Sequence, residues 1–348
     1  KRNFYVISIA IFLLIISHNS MALLFLPLIL AYIFIRYSVD KKLILGVGTG
    51  IALSSFFIFP AVLELGYTYF KKTSISNPSE YFVGIDLIGI ISILLPLASL
   101  VVYRLMRKNK KDSTGIIFLF ITVSLIGIFL STSLSEFLWK TPIASLLQFP
   151  FRVLALLLVS NAFLSAFIVN FFKGSIRIVV CVVILCVSAY SCISFLKPEE
   201  FNDIPDSVYA TNPATTTVKN EYMPIWVTEF PESQYEHKVE LLNGVGEVGN
   251  LIEKSNNISF DLNNNTATEI RLNTVYYPGW RAYVDNNEVK IQYMNPKGVM
   301  DIPIAEGQKN IRFVFSETPA RLIADLISGL AVIALMLYPF WVRNKFKK

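Results

Sequence analysis

Long runs of apolar residues, separated by short polar segments, fill residues 1–196 and return at the end of the chain. A helix needs about 20 mostly apolar residues to cross the hydrocarbon core of a bilayer. Candidate runs lie at 4–17, 21–35, 43–63, 85–106, 115–130, 151–172, 178–196 and 320–342. The pattern predicts a polytopic α-helical membrane protein with about eight spans in this chain.

Residues 197–319 show a different pattern, a short alternation of apolar and polar positions that is typical of strands. Asp285-Asn286-Asn287 is a hairpin signal. The strand-like segments lie at 225–230, 239–241, 257–262, 268–277, 280–284, 288–293, 299–304 and 310–315. About eight such segments predict an extracytoplasmic all-β sandwich, jelly-roll-like, inserted before the last span. The predicted domains are a seven-span helical domain at 1–196, the sandwich at 197–319, and the last helix with a basic cytoplasmic tail at 320–348.

Composition excludes an ordinary soluble enzyme and a disordered chain. Hydrophobic residues make up 54% of the 348 positions and charged residues only 16%, with a mean hydropathy of +0.54. The net charge of +6 is unevenly distributed, because residues 197–319 hold 10 basic and 18 acidic residues, a net of −8, which leaves +14 elsewhere. A membrane part with basic flanks explains this division better than binding to nucleic acid does, so no nucleic-acid partner is expected.

The cations of the loops predict an orientation. When the connections between spans are numbered alternately, one side holds 16 Lys and Arg and the other, apart from 197–319, holds 5. Positive charge marks the cytoplasmic side of a membrane protein. We therefore expect a multi-pass protein of the plasma membrane with residues 197–319 outside the cytoplasm and the C-terminus inside it.

Polar residues beside the predicted spans are the candidates for function, since each is costly to place there. Ser17-His18-Asn19-Ser20 interrupts an apolar stretch at the predicted outer surface. The quartet is either an ordinary turn between two spans or a site where His18 and Asn19 bind a polar headgroup.

Glu64 and Asp86 are the carboxylates at the outer ends of neighbouring predicted spans. They are either interface acids in contact with solvent or candidates for acid–base or metal chemistry. Gln148 and Arg152 surround Pro150, which suits a helix start. Arg152 in the first turn opposes the helix dipole, so it either binds a phosphate or reaches lipid headgroups.

The sequence contains no motif for nucleotide binding or for a Cys/His metal site. Neither a P-loop nor a dinucleotide-binding glycine motif occurs, and G-V-G-T-G at 46–50 predicts close helix packing instead. His18 and His237 are the only histidines, and the three cysteines lie in one apolar run without metal-ligand spacing. No cofactor is identified from the residues, and aromatic residues of the sandwich serve either as its core or as a sugar-binding platform.

Four segments occur together and in order: S-H-N-S-M-A-L-L-F, L-L-Q-F-P-F-R-V-L, N-E-Y-M-P-I-W and V-Y-Y-P-G-W-R-A-Y-V-D. Over most of the chain they resemble the polytopic 6-pyruvoyl-tetrahydropterin-synthase-related membrane protein family, which is similar to YfhO-type membrane proteins. Both are similar to GT-C glycosyltransferases. His18, Asn19, Gln148, Arg152, Glu221 and Tyr222 match the family pattern.

The resemblance implies an inverting membrane glycosyltransferase that uses a polyprenyl-phosphate-linked sugar donor and a glycan or envelope polymer acceptor at the extracytoplasmic face. It also implies a carboxylate in a first exported loop, as base or ligand of a divalent metal. The chain starts within the helical part, so we expect it to be a C-terminal part, with that carboxylate upstream. The alternative is a non-catalytic, membrane-anchored envelope assembly or partner-binding protein.

Overall fold

The structure is a computed structural model and describes residues 2–37, 41–71, 78–106, 114–141, 147–198, 201, 203–211, 220–233 and 235–345. The chain has a helical part and separate antiparallel sheets near its C-terminus, as the sequence pattern predicts. The cation-rich segment 107–113 and the last residues of the predicted tail, 346–348, lie outside the described residues.

Two compact units divide the chain. The first contains Lys1–Ser54, Ser74–Asp203 and Leu330–Lys348, and the second contains Ser55–Thr73 and Ile204–Gly329. The main division after Asp203 is close to the predicted boundary at 196/197. The sequence pattern did not predict that Ser55–Thr73 would join the unit that contains the sheets.

Helices occur at all eight predicted apolar runs. In the described residues the α-helices are α1 (Arg2–Ser17), α2 (Asn19–Arg36), α3 (Lys41–Leu53), α4 (Ser55–Glu64), α5 (Ile85–Ile88), α6 (Ile90–Met106), α7 (Thr114–Ser131), α8 (Glu136–Trp139), α9 (Leu154–Phe171), α10 (Gly174–Cys192), α11 (Asp206–Thr211) and α12 (Pro319–Lys345). Of the helices that the structure describes, five (α2, α7, α9, α10 and α12) are long and apolar enough to cross a membrane, and α3 with α4 makes a sixth if the pair is one span. The helices α1 and α6 are apolar but shorter, so the number of eight spans stays a prediction.

Local sequence determines where α2 and α9 begin. His18 breaks the helix with an extended backbone, and its Nδ1 accepts a hydrogen bond from the backbone N–H of Ser20 at 3.2 Å. This satisfies one of the N–H groups that a helix start leaves without a partner. Pro150 begins a 3₁₀ turn, Pro150–Val153, that leads directly into α9, as expected of a proline at a helix start.

Glycines allow α1 and α3 to approach closely. A Cβ atom on Gly50 would lie 2.7 Å from the side chain of Ile11, and one on Gly46 would lie 3.2 Å from Ile7. The hydroxyl of Ser8 also donates to the carbonyl of Gly46 at 3.0 Å. The prediction that the glycine motif at 46–50 serves helix packing is confirmed.

The core of the first unit lies among α2, α6, α7 and α9. Leu164 of α9 is completely buried there, and Phe120 of α7 stacks on Phe163 at a centroid distance of 4.0 Å. Nearly every residue of these helices is apolar, and much of their other surface is exposed and apolar as well. That distribution suits helices whose surroundings are lipid.

The second unit contains two antiparallel sheets. Its strands are β1 (Val239–Leu241), β2 (Gly246–Lys254), β3 (Asn257–Asn264), β4 (Thr268–Val275), β5 (Trp280–Val284), β6 (Asn287–Val289), β7 (Val299–Ile304) and β8 (Gly307–Phe315). One sheet has the order β1-β4-β7 and the other β2-β3-β8-β5-β6. Asp285 and Asn286 both have positive φ in the turn between β5 and β6, which confirms the predicted hairpin.

Alternate residues of both sheets share one core, so the region is β-sandwich-like. Phe260 pairs with Ile311 in the larger sheet, and Ile270 pairs with Ile302 in the smaller one. All four side chains are almost completely buried. The apolar segment at 225–230 forms no strand, and β2, whose residues are mostly exposed, was not predicted because it lacks a clear alternation.

Candidate functional site

Arg152 in the first unit is held at the start of α9 by neighbouring oxygen atoms. Its Nη1 donates to the hydroxyl of Ser20 at 2.8 Å and to the carbonyl of Leu147 at 3.1 Å. The guanidinium carbon also lies 5.1 Å from the ring centroid of Phe149. The Ser20 contact joins the two polar motifs that the sequence singled out, although they are 132 residues apart.

The turn before α9 brings Leu147 and Phe149 against this guanidinium group. Gln148 has a φ of +62°, in the left-handed region that most residues avoid. The backbone N–H of Arg152 then donates to the carbonyl of Phe149 at 3.1 Å. The strained conformation of Gln148 is therefore part of what positions Arg152.

His18 and Asn19 are exposed beside the buried Ser20. His18 Nδ1 accepts the hydrogen bond from the Ser20 N–H, while the Ser20 hydroxyl accepts from Arg152. The structure thus brings His18, Asn19 and Arg152 to one place, and Gln148 lies in the adjoining turn. A positioned guanidinium beside exposed polar side chains is suited to binding an anionic ligand such as a phosphate.

Glu64 lies in the second unit and contacts an arginine that the sequence reasoning treated only as a cation in the charge count. Arg321 Nε and Nη2 donate to the two oxygens of Glu64 at 2.7 and 2.8 Å. The side chains are only 13% and 16% exposed, respectively. Glu64 ends α4 and Arg321 lies in the first turn of α12, so each charge opposes its own helix dipole and the pairing offsets both penalties.

Aromatic rings surround this ion pair. The guanidinium carbon of Arg321 lies 5.1 Å from the ring centroid of Phe315 and 5.8 Å from that of Tyr277. Burial, followed by the charge of Glu64 and a hydrogen bond to it, raises the pKa of Tyr277 to about 12. With both oxygens bound to Arg321, Glu64 has the geometry of a stabilising ion pair. Its role as a base stays a prediction that no contact supports.

The remaining predicted residues lie in different surroundings. Asp86 is exposed in the first turn of α5, in the first unit. Glu221 and Tyr222 belong to the second unit, where the 62% exposed Tyr222 stacks on Phe70 at 6.2 Å. Arg321 could have been found by the signal that indicated Arg152, an arginine in the first turn of an apolar helix.

A divalent metal, which the family resemblance implies, finds no site in the described part of the chain. No group of three or more His, Cys, Asp or Glu side chains is arranged there to hold a metal ion. Hard divalent cations prefer several oxygen ligands, and both oxygens of Glu64 are bound by Arg321. The described residues therefore do not fit a metal centre.

Comparisons with known proteins give no relative for this chain: no family model, no curated protein and no solved structure matches it. The resemblance to the 6-pyruvoyl-tetrahydropterin-synthase-related and YfhO-type families rests on the sequence motifs alone and stays a prediction.

Proposed function

We propose that this integral membrane protein binds a polyprenyl-phosphate-linked sugar and belongs to a GT-C-like glycosyltransferase. The observation that supports this proposal is the hydrogen bond from Arg152 to Ser20. It brings the S-H-N-S and Q-F-P-F-R motifs together, and these motifs carry much of the family resemblance.

Arg152 is assigned the phosphate of the donor lipid. The hydroxyl of Ser20 and the carbonyl of Leu147 hold Nη1 in position, and the planar fork of a guanidinium group matches the geometry of a phosphate. Polyprenyl phosphate is the leaving group of the transfer, and a nearby cation stabilises the charge that it gains. His18 and Asn19 contact the sugar or its phosphate at the exposed edge of the site.

The proposed reaction takes place at the extracytoplasmic face, with the sheets of the second unit outside the cytoplasm and the C-terminus inside. The distribution of loop cations supports this orientation. The acceptor is a glycan or envelope polymer. Reporter proteins fused after Lys348 test the orientation, since one that is active only in the cytoplasm must be active there.

The direct test is sugar transfer from a polyprenyl-phosphate donor by the full-length protein in membranes. We expect Arg152→Gln to weaken donor binding about 10- to 100-fold, because a hydrogen bond to a charged group contributes about 1.5–3 kcal/mol. Arg152→Lys keeps the charge but loses the fork, so it should be intermediate. The matched control is Lys140→Gln, which removes an exposed cation paired with Glu136.

Equal transfer rates and equal donor affinities in wild type and Arg152→Gln would show that the phosphate assignment is wrong. A second candidate function is a non-catalytic envelope assembly protein, which the ion pair at Glu64 favours because both of that carboxylate's oxygens are bound. It predicts that wild type transfers no sugar, and that wild type and Arg152→Gln restore the envelope of a deletion strain equally well.

A further inference from the structure

A second polar site lies far from Arg152 within the first unit. A cavity of about 550 Å³ is formed where α2 and α6 end, α7 and α10 begin, and α9 ends. Its residue Asn170 follows Arg152 by 18 positions, roughly 27 Å along a helix at 1.5 Å per residue. The cavity is therefore separate from the proposed donor site.

Two arginines line this cavity. Arg36 is the last residue of α2, and Arg177 lies in the first turn of α10, where a cation opposes the helix dipole. Tyr32, Tyr103 and Asn170 add polar groups to the same wall. Among the residues that the structure describes, no carboxylate lines the cavity and none forms an ion pair with either arginine. The lining thus favours an anion.

The rest of the wall is apolar. Phe163 and Phe167 lie about two turns and one turn, respectively, before the end of α9 at Phe171, and both line the cavity. Exposed apolar side chains lie close in sequence to the lining residues Arg36, Met106 and Arg177, since Phe34, Leu105 and Ile178 are 74%, 66% and 67% exposed. An occupant with an anionic head and an apolar chain matches both parts of the wall.

We propose that this cavity binds the headgroup of an anionic phospholipid. The phosphate contacts Arg36 and Arg177, the tyrosine hydroxyls and Asn170 contact the remaining headgroup oxygens, and an acyl chain follows the apolar wall. A basic pocket between membrane helices is suited to such lipids, and a volume of several hundred Å³ accommodates a headgroup. The apolar surroundings select a lipid over free phosphate, because they stabilise only a ligand that carries a chain.

The test uses the purified full chain in nanodiscs of phosphatidylcholine with or without phosphatidylglycerol, and native mass spectrometry to count the lipids that stay bound. We expect phosphatidylglycerol to bind at least about tenfold more tightly than phosphatidylcholine, and Arg36→Gln with Arg177→Gln to abolish that preference. Arg104→Gln with Lys173→Gln is the matched control, because it removes two cations near the same helix ends that do not line the cavity.

Two further measurements separate lipid binding from simpler explanations. Ala166→Phe places a ring in the cavity without changing the charge, so it should lower phosphatidylglycerol binding while the unfolding temperature in detergent stays the same. Inorganic phosphate at equal concentration should displace little of the bound lipid. The proposal would be overturned if the control variant lost the preference for phosphatidylglycerol as fully as the Arg36 and Arg177 variant does. It would also be overturned if inorganic phosphate displaced the bound lipid as well as phosphatidylglycerol itself does.

Discussion

Arg152 and Arg321 occupy equivalent places in two different units. Arg152 lies in the 3₁₀ turn that leads into α9 and Arg321 in the first turn of α12, and at both helix starts a cation opposes the helix dipole. Arg321 forms a two-point ion pair with Glu64 between aromatic rings, whereas the oxygens that accept from Arg152 Nη1 are a hydroxyl and a carbonyl. The same sequence signal, an arginine near the start of an apolar helix, thus occurs in two different local environments.

The difference predicts a stabilising role for Arg321 and, if the proposed function is right, a ligand-binding role for Arg152. The carboxylate of Glu64 neutralises Arg321 and leaves it little to offer an incoming anion. The two oxygens that accept from Arg152 Nη1 belong to a hydroxyl and a backbone carbonyl, and His18 and Asn19, next to Ser20 in the chain, are exposed. Variants should therefore affect stability at Arg321 and ligand binding at Arg152.

The largest expected effect follows from breaking the ion pair. Arg321→Met leaves the largely buried carboxylate of Glu64 without its partner, which should lower the stability of the second unit by about 3 kcal/mol. Glu64→Leu combined with Arg321→Met removes both charges and should restore much of the loss. Thermal unfolding in detergent, analysed as a double-mutant cycle, measures the coupling.

Arg152→Met is the matched control in the first unit, since it makes the same change at the same helical position. We expect a stability loss below about 1.5 kcal/mol, because the Nη1 hydrogen bonds that the change breaks go to a hydroxyl and a backbone carbonyl. A loss as large as that of Arg321→Met would remove the distinction between the two arginines.

Tyr277 gives the same ion pair a signature at high pH. Its pKa is raised from 10.0 to about 12, mainly by burial and then by Glu64. Between these pH values the unfolded chain holds fewer protons than the folded one, so stability should fall as pH rises from 10 to about 12. The loss is on the order of 2 kcal/mol.

Tyr277→Phe is the test, with the unfolding temperature followed from neutral pH to pH 12. The variant cannot ionise at this position, so its stability should fall less steeply above pH 10 than that of wild type. Identical slopes in the two proteins would mean that Tyr277 does not have the raised pKa.

Periodic patterns in the sequence predict the elements of this fold well. The apolar runs became helices, the alternating segments at 280–284 and 299–304 became β5 and β7 with those bounds, and Pro150 begins the turn before α9. These features depend on residues close together in the chain, which a single sequence contains directly.

Contacts between distant residues could not be predicted in this way. Glu64 and Arg321 are 257 positions apart, and nothing in either local sequence indicates the other. The sequence predicts that His18 and Arg152 lie on the same side of a membrane, but it does not identify Ser20 as a residue that contacts Arg152. The alternation of loop charges predicts on which side of a membrane a residue lies. It does not predict which side chain that residue contacts.

A smaller effect is expected at Ser20, the residue that joins the two motifs of the first unit. Ser20→Ala removes the oxygen that accepts from Arg152 Nη1 at 2.8 Å and should weaken donor binding about fivefold, or about 1 kcal/mol. Ser20→Thr keeps the hydroxyl and is the control. If Ser20→Ala and Ser20→Thr bind the polyprenyl-phosphate donor equally, Ser20 does not position Arg152.

The smallest expected effect tests whether Gln148 acts through its backbone or through its side chain. Gln148→Gly suits the φ of +62°, so the stability of the first unit should change by no more than about 0.5 kcal/mol. The turn stays intact and Arg152 stays in place, so any loss of donor affinity reports the amide side chain. We expect a loss of about threefold, consistent with one hydrogen bond between neutral groups.

Gln148→Asn is the control, because asparagine also tolerates positive φ and keeps an amide. This variant should retain more donor affinity than Gln148→Gly. Equal donor affinity in the wild type and in both variants would mean that Gln148 acts through the backbone turn alone.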